Sequence, residues 1–206
     1  SEMCIRDRLD VLPTIRLLLQ ENIEKGDTVV DATMGKGHDT LFLARLVGEQ
    51  GQVIAFDIQK SALDHTAKRL QEAGITWAQL YKVSHTQVTK YVKKAQAFVY
   101  NLGYLPGGNK DLTTQSDETL LSVQKALSLL LPGGLIALVC YPGHSEGKKE
   151  AQALENYLSL LKQPDFEVLR LSFINHNKNA PYALVVQKDV HFMDEGFSFK
   201  RKDKQN

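Results

Sequence analysis

A glycine-rich turn between a short buried strand and an amphipathic helix is the feature that most limits what this chain can fold into. Residues 29–40 read VVDATMGKGHDT, so two β-branched residues and an acid lead into Gly35 and Gly37. Glycine lets the backbone adopt conformations that a Cβ forbids and lets a ligand approach closely. The following helix would point its unpaired N–H groups toward the turn. A single Gly-x-Gly is a weak signal, because many tight turns need glycine.

A second acid strengthens the ligand-binding interpretation of this turn. Residues 53–57 read VIAFD and end in Asp57, 20 residues after Gly37. Folds that bind nucleotides place a carboxylate against a ribose diol at about this spacing. The alternatives are a turn without a ligand and, for Asp57, a solvated strand end or helix cap. We favour the binding interpretation because the two signals occur together.

Composition limits the class of protein. The 206 residues suit one domain, and 43% hydrophobic with 24% charged residues is ordinary for a globular protein. A net charge of +1 gives no global attraction to a polyanion, so a nucleic-acid partner would need a local basic patch. The two cysteines, Cys4 and Cys140, belong to no Cys/His cluster, which predicts neither zinc nor a disulfide framework.

Apolar runs of the length of a membrane span are absent from the sequence, so we predict no membrane association and a cytoplasmic location. Residues 1–8 are interpreted as a cloning remnant, 9–188 as one domain and 189–206 as a basic, flexible tail.

Alternation of strands and helices predicts an α/β fold with a mostly parallel sheet covered on both faces. The last two strands are joined by a short polar loop, which predicts an antiparallel pair. A capping box is predicted at 61–64, and a turn at 132–134. The predicted strands are 28–32, 52–57, 77–83, 97–102, 135–141, 166–174 and 182–188, and the predicted helices are 12–23, 38–47, 61–73, 86–94, 116–131 and 146–161.

Right-handed crossovers place the carboxyl ends of the parallel strands along one edge, where open α/β sheets bind ligands. Five polar or glycine-containing clusters are predicted to meet there. They are 31–37, Asp57, 84–85, 101–106 and 141–144.

The order of these motifs resembles the class I S-adenosylmethionine (SAM) methyltransferases, and within them a small family labelled rRNA methylases. The resemblance covers residues 12–188 and implies a Rossmann-like fold with a seven-stranded sheet, an antiparallel last strand and SAM as cofactor. It further implies methylation of the amine of 5-aminomethyl-(2-thio)uridine at the tRNA wobble position. The blocks are DATMG at 31–35, GHDT at 37–40, FDIQ at 56–59, SH at 84–85, NLGYLPGG at 101–108, GH at 143–144 and 175–181.

SAM is expected to lie across this edge with its ribose hydroxyls on Asp57 and its ammonium near Asp31. Ser84 and His85 either flank the adenine or ribose or form a turn with a capping serine, and the two interpretations stay equal. Asp39 is either a ligand or a helix cap. The predicted cofactor set is Asp31, Thr33, Gly35, Lys36, Gly37, Asp39, Asp57, Gln59, Ser84, His85 and Asn101.

The predicted catalytic residues are Asn101, Tyr104 and His144. Methyl transfer from a sulfonium to an amine is an in-line displacement, so the protein must chiefly align a neutral nitrogen. Asn101 ends a strand where many methyltransferases keep an Asn or Asp that grips a target amino group. Tyr104 and Tyr141 either stack on an extruded base or belong to the core. His144 either contacts substrate or is satisfied locally.

The expected substrate partner is tRNA, presented through an anticodon loop whose bases are already unpaired. Small basic clusters at 90–94 and 148–149, with Lys178, would give modest, salt-sensitive contacts, although each alone is more typical of a solvated face. A homodimer is left open.

Three other functions remain to be weighed. A methyltransferase of the same fold could act on rRNA or a small amine. A nicotinamide-binding dehydrogenase could use the same turn and acid, but no Tyr-x-x-x-Lys pair is evident and Leu41 and Phe42 occupy the region of the third glycine. A non-catalytic binding module is the last.

Overall fold

Strands and helices alternate along almost the whole chain in the computed structural model, which describes residues 10–103 and 116–191. Tyr104 and the predicted loop as far as Thr114 lie outside the described residues. The elements are α1 (Val11–Asn22), β1 (Thr28–Asp31), α2 (His38–Val47), β2 (Gln52–Phe56), α3 (Lys60–Glu72), β3 (Ala78–Tyr81), a 3₁₀ helix (His85–Lys90), β4 (Ala95–Asn101), α4 (Ser116–Leu129), β5 (Leu130–Cys140), α5 (Ser145–Leu158), β6 (Phe166–Leu171) and β7 (Tyr182–Lys188).

The strands form one seven-stranded sheet in the order β3-β2-β1-β4-β5-β7-β6. Neighbouring strands are parallel from β3 to β5, and β7 runs antiparallel to both β5 and β6. This confirms the predicted fold class, including the antiparallel last strand. The strand order reverses between β1 and β4, and such a reversal is where α/β sheets open a ligand crevice.

Both faces of the sheet are covered, and β4 shows why its sequence is continuously apolar. Phe98 and Tyr100 enter the cluster shared with α4 and α5. Ala97 and Val99 enter the cluster shared with α1 and α2. Alternate side chains therefore serve two separate cores, and neither face of β4 meets water.

The predicted capping box at 61–64 is wrong. Helix α3 begins at Lys60, after an N-cap Gln59 whose side chain makes no capping bond. The Asp64 carboxylate instead accepts from Lys60 Nζ at 2.6 Å on the exposed face. The N-cap residue itself is bonded from outside the helix, since the Asp57 carboxylate accepts from Gln59 N at 2.9 Å.

The start of β5 also differs from the prediction. The strand begins at Leu130 and includes the segment 132–134, which was predicted to be a turn after a helix that reached Leu131. A register shift between Ala95 and Ala97 absorbs this segment as a bulge. Two distant side chains hold it: Asn22 Nδ2 donates to Gly133 O at 2.7 Å, and Lys188 Nζ donates to Leu130 O at 3.1 Å.

Smaller differences concern element ends. Strands β3 and β6 are shorter than predicted, and a 3₁₀ helix replaces the predicted short helix at 86–94.

Within the two described ranges, none of the helices combines the length and apolar character that a membrane crossing requires. The same ranges contain no group of three His, Cys, Asp or Glu side chains that could hold a metal ion.

Candidate functional site

The glycine turn after β1 is tied directly to the acid that follows β2. Gly35 and Gly37 both have positive φ, at 50° and 75°, and Gly37 is the N-cap of α2. Gly35 N donates to Asp57 Oδ2 at 3.1 Å. The two signals on which the sequence prediction depended are therefore joined by a hydrogen bond.

Helix α3 holds the other side of this turn. Thr66 Oγ1 donates to Gly35 O at 3.2 Å, and Arg69 Nε donates to Lys36 O at 2.8 Å. A Cβ built on Gly37 would lie 2.8 Å from the side chain of Thr66. The turn thus has a defined shape, and Gly37 is required both by its φ and by the close approach of α3. The Lys36 side chain is exposed, whereas its backbone carbonyl takes part in the hydrogen bonds that hold the turn.

The Asp57 carboxylate lies half-buried at the end of β2. Burial raises its pKa, while hydrogen bonds from the backbone of Gln59 and Gly35 act in the opposite direction. Each carboxylate oxygen has two acceptor sites, so one backbone bond per oxygen leaves capacity for a hydroxyl donor. Gln59 enters the site through its N–H, beside the carboxylate that it supports.

Asp31 is completely buried beneath the turn. Its Oδ2 accepts from Thr40 Oγ1 at 2.6 Å and its Oδ1 accepts from Thr33 N at 3.2 Å. Burial, followed by the nearby charge of Asp39, raises the pKa of Asp31 to about 7. Its contact with the cofactor ammonium stays a prediction; here the carboxylate shapes the turn through two threonines.

Asn101, at the end of β4, is linked to both neighbouring segments. Its backbone N donates to Thr33 Oγ1 at 2.7 Å, and its side-chain Nδ2 donates to Asp39 Oδ2 at 2.6 Å. Asp39 Oδ1 accepts from Arg16 of α1 at 2.9 Å. The Asp39 carboxylate therefore faces Asn101 and Arg16. The N-cap position of α2 is Gly37, and no side chain caps this helix.

Arg16 pairs with Asp39 at this edge of the sheet, and the sequence did not predict it as a site residue. Its guanidinium lies over the Phe42 ring at 5.2 Å from the centroid and pairs with Asp39. The available signal was a charged residue among the apolar positions of α1, which alone is too common to indicate a site.

The segments after β5 contribute Tyr141 and His144. Burial first, and then the charges of Asp39 and Asp10, raise the pKa of Tyr141. His144 is the N-cap of α5, with Nδ1 accepting from Gly147 N at 3.1 Å. This is the local role that was left open, and a contact between His144 and substrate stays a prediction.

The His85 side chain packs inward, and Ser84 caps the short helix that begins at His85. The ring is 9% exposed and packs edge-on against Tyr100, with centroids 5.9 Å apart, in the core beneath α4. Burial lowers its pKa to about 4. Ser84 caps the 3₁₀ helix by accepting from Thr86 N at 3.3 Å. The structure shows the capping serine of one interpretation, and a contact of Ser84 or His85 with the cofactor stays a prediction.

Sheet order, the glycine turn and the acid after β2 together define a Rossmann-like class I methyltransferase. The family model described as "Putative rRNA methylase" matches residues 53–187, more than half of the chain. The chain belongs to this family, as its motifs predicted.

Solved structures similar to the chain cover most of its length. A protein from Clostridium thermocellum described as a "putative rRNA-methylase" is 37% identical with a TM-score of 0.85, covering 88% of this chain and 98% of that one. A methyltransferase from Streptococcus mutans, solved in complex with SAH, is 33% identical with a TM-score of 0.80, covering 88% and 99%.

A curated relative from Arabidopsis thaliana is a chloroplastic tRNA (mnm(5)s(2)U34)-methyltransferase. It is 38% identical over 168 residues, which are 76% of this chain and 61% of the relative. The chain thus spans less than two thirds of that protein.

Proposed function

We propose that this protein is a SAM-dependent methyltransferase that N-methylates the primary amine of 5-aminomethyl-(2-thio)uridine at the wobble position of tRNA. The observation that carries the proposal is the joining of Asn101 to the glycine turn through Thr33 and Asp39. A group suited to holding an amine thus lies beside a turn suited to holding a nucleoside cofactor. The relative from Arabidopsis thaliana supports the choice of substrate.

The residues present fit SAM. The half-buried Asp57 carboxylate has acceptor capacity for ribose hydroxyls, and Gly35 and Gly37 present backbone without side chains next to it. When bound, SAM supplies a methyl group already activated by its sulfonium. The protein is left with binding, alignment and exclusion of competing reactions.

Asn101 would align the substrate amine. Its Nδ2 donates to Asp39, so Oδ1 is the end of the amide available to accept an N–H from the amine. Accepting one N–H orients the nitrogen lone pair toward the methyl group, which is the positioning that an in-line displacement needs. The amine must be unprotonated to attack, and no strong general base is required once it is neutral.

Affinity for tRNA would come from lysines outside the site. Lys90 and Lys93 are exposed near the 3₁₀ helix, and Lys148 and Lys149 are exposed at the start of α5, close in sequence to His144. Phosphate contacts of this kind weaken as salt rises. The cytoplasmic setting, the homodimer and the anticodon loop as the point of contact belong to the proposal as predictions.

The substrate is tested with RNA from a strain that lacks the gene. Purified protein and methyl-labelled SAM are added to bulk tRNA and, separately, to rRNA from that strain, and the nucleosides are analysed by mass spectrometry. We expect label in tRNA and 5-aminomethyl uridines that accumulate in the strain. Label in rRNA alone would replace the proposed substrate, and transfer to neither RNA would refute the function.

The cofactor site is tested by calorimetry with SAH. Loss of hydrogen bonds to a carboxylate costs about 1.5–3 kcal/mol, so Asp57→Ala should weaken SAH binding by about 10- to 150-fold. Asp64→Ala removes an exposed acid of the same helix region and serves as the matched control. Unchanged affinity in Asp57→Ala would contradict the assignment, as would tight NAD binding by a wild-type protein that does not bind SAH.

A further inference from the structure

We propose that Arg16 and Asp39 form a positioning pair that determines which end of the Asn101 amide faces the substrate. The inference rests on the proposed function, because the amide is the group assigned to align the target amine. It changes the role of Asp39 from the predicted cofactor ligand to a residue acting through Asn101, and it gives α1 a part in the reaction.

The geometry is a short chain of three side chains. Arg16 is contributed by α1, Asp39 by the first turn of α2 and Asn101 by the end of β4. Arg16 Nη2 lies 2.9 Å from Asp39 Oδ1, and Asn101 Nδ2 lies 2.6 Å from Asp39 Oδ2. Each carboxylate oxygen thus has its own donor. All three residues line one cleft together with apolar side chains of α1 and α2.

The chemistry of the carboxylate determines the orientation of the amide. An ionised Asp39 only accepts hydrogen bonds, so the NH2 end of Asn101 must face it and Oδ1 must face away. An amide beside a neutral partner can rotate by half a turn and exchange its donor and acceptor ends. The pair therefore keeps an acceptor, and not a donor, at the position where an amine N–H would arrive.

Arg16 holds the carboxylate in place. Its side chain is 32% exposed and that of Asp39 is 19% exposed, so the pair is partly shielded from solvent. The guanidinium plane lies over Phe42, which limits its rotation. A partly shielded, charge-assisted hydrogen bond is stronger than a neutral one, and Arg16 supplies such a bond at the oxygen that Asn101 does not use.

An exchange of the two residues tests the donor and acceptor assignment. Asn101→Asp places two carboxylates against each other, and Asp39→Asn allows the amide at position 101 to rotate. The double variant D39N/N101D restores the pairing, because the amide now at position 39 can donate to the carboxylate at position 101 and still accept from Arg16. That carboxylate retains a free oxygen as the acceptor for the amine.

We expect kcat for tRNA methylation to fall about 10-fold in Asp39→Asn and about 100-fold in Asn101→Asp, and to recover to within about 10-fold of wild type in the double variant. KM for tRNA and the affinity for SAH should stay within about 3-fold throughout, since the pair acts on alignment. The proposal would be overturned if kcat of the double variant were no higher than kcat of the less active single variant. A large loss of SAH affinity in Asp39→Asn would restore its role as a cofactor ligand.

Arg16 is tested by conservative and non-conservative changes. Arg16→Lys keeps a donor for Asp39 Oδ1 but loses the guanidinium over Phe42, so it should lower kcat less than Arg16→Gln does. Arg16→Gln should lower kcat about 5- to 10-fold without changing SAH affinity. Arg45→Gln, an exposed arginine of α2, is the control for loss of one positive charge. Equal kcat in Arg16→Gln and Arg45→Gln would refute the role of Arg16.

A readout without turnover separates this inference from the proposed function. In the ¹⁵N spectrum of the protein, the side-chain NH2 of Asn101 is identified by its loss in Asn101→Asp. One of its protons should be shifted downfield and protected from exchange, and Asp39→Asn should remove both properties. A resonance insensitive to Asp39→Asn refutes the pair. A wild-type protein that shows the shift but transfers no methyl group to tRNA refutes the proposed substrate and not the pair.

Discussion

The glycine turn after β1 and the end of β4 lie at the same rim of the sheet, yet they are held by different kinds of contact. The turn is held through its backbone: Gly35 N donates to Asp57, and the carbonyls of Gly35 and Lys36 accept from α3. The end of β4 is held mainly through side chains, from Asn101 to Asp39 and on to Arg16.

Because their contacts differ, the two regions should tolerate different kinds of substitution. A backbone-held turn depends on φ values and on the absence of a Cβ, so its weak points are glycines. A side-chain relay depends on charge and on which group donates, so its weak points are isosteric changes that preserve shape. Under the proposed function, the turn would hold the cofactor and the side-chain relay would hold the substrate amine.

The largest expected effect is on the pH dependence of the free energy of unfolding. It comes from two buried titratable groups, Asp31 beneath the turn and His85 packed against Tyr100 of β4. The folded-state pKa of Asp31 is about 7 against 3.8, so the unfolded chain releases this proton first and its contribution to the free energy of unfolding falls between pH 4 and 7. The folded-state pKa of His85 is about 4, compared with 6.5 in the unfolded chain. The contribution of His85 to the free energy of unfolding therefore rises between pH 4 and 6.5. Each change is on the order of 3–5 kcal/mol, and in the wild type the two changes oppose each other.

Single variants should reveal these opposing slopes. Relative to wild type, the free energy of unfolding of Asp31→Asn should rise with pH over this window, and that of His85→Gln should fall. Urea denaturation from pH 4.5 to 7.5 measures both. Asp64→Asn and His65→Gln, exposed residues of α3, are the controls. Curves parallel to wild type would contradict the burial-induced pKa shifts.

A Cβ in the turn should produce the next largest effect. Gly37→Ala combines an unfavourable φ of 75° with contact to Thr66, and should lower the free energy of unfolding by about 2–4 kcal/mol. SAH affinity should fall with it. Gly74→Ala has a similar φ of 69° with nothing within 4 Å, so it isolates the φ cost of about 1–2 kcal/mol. Equal losses in both variants would show that α3 does not confine the turn.

The smallest effect on SAH affinity is expected from a Cβ at the start of α5, which follows β5. A side chain at Gly147 would meet the Tyr141 carbonyl and the His144 ring, so Gly147→Ala should cost about 1–3 kcal/mol of unfolding free energy. SAH affinity should stay unchanged while methyl transfer falls. Gly143→Ala, where the nearest atom is Asn179 O at 4.0 Å, is the control. A loss of SAH binding in Gly147→Ala would remove the distinction between the two regions.

Elements whose signals lie within one segment were predicted well. Strands β1, β2 and β4 are mainly apolar runs that end at or just before a polar residue, and the structure confirms them to within two residues at each end. The capping box at 61–64 was wrong because α3 begins before Ser61, after Gln59, whose N–H donates to Asp57 outside the segment. The start of β5 was missed because Asn22 and Lys188, distant in sequence, stabilise its bulge.

The site divides in the same way. The order of motifs alone indicated a family, a sheet edge, a turn and an acid, because a nucleoside cofactor imposes a local pattern on backbone and spacing. Two features were visible only in the tertiary structure. The His85 ring packs in the core, and Arg16 is linked to Asn101 through Asp39. Hydrogen bonds between α1, α2 and β4 depend on how these elements pack against one another. The pattern within each element shows which face is buried, but it does not show which side chains of the other elements meet that face.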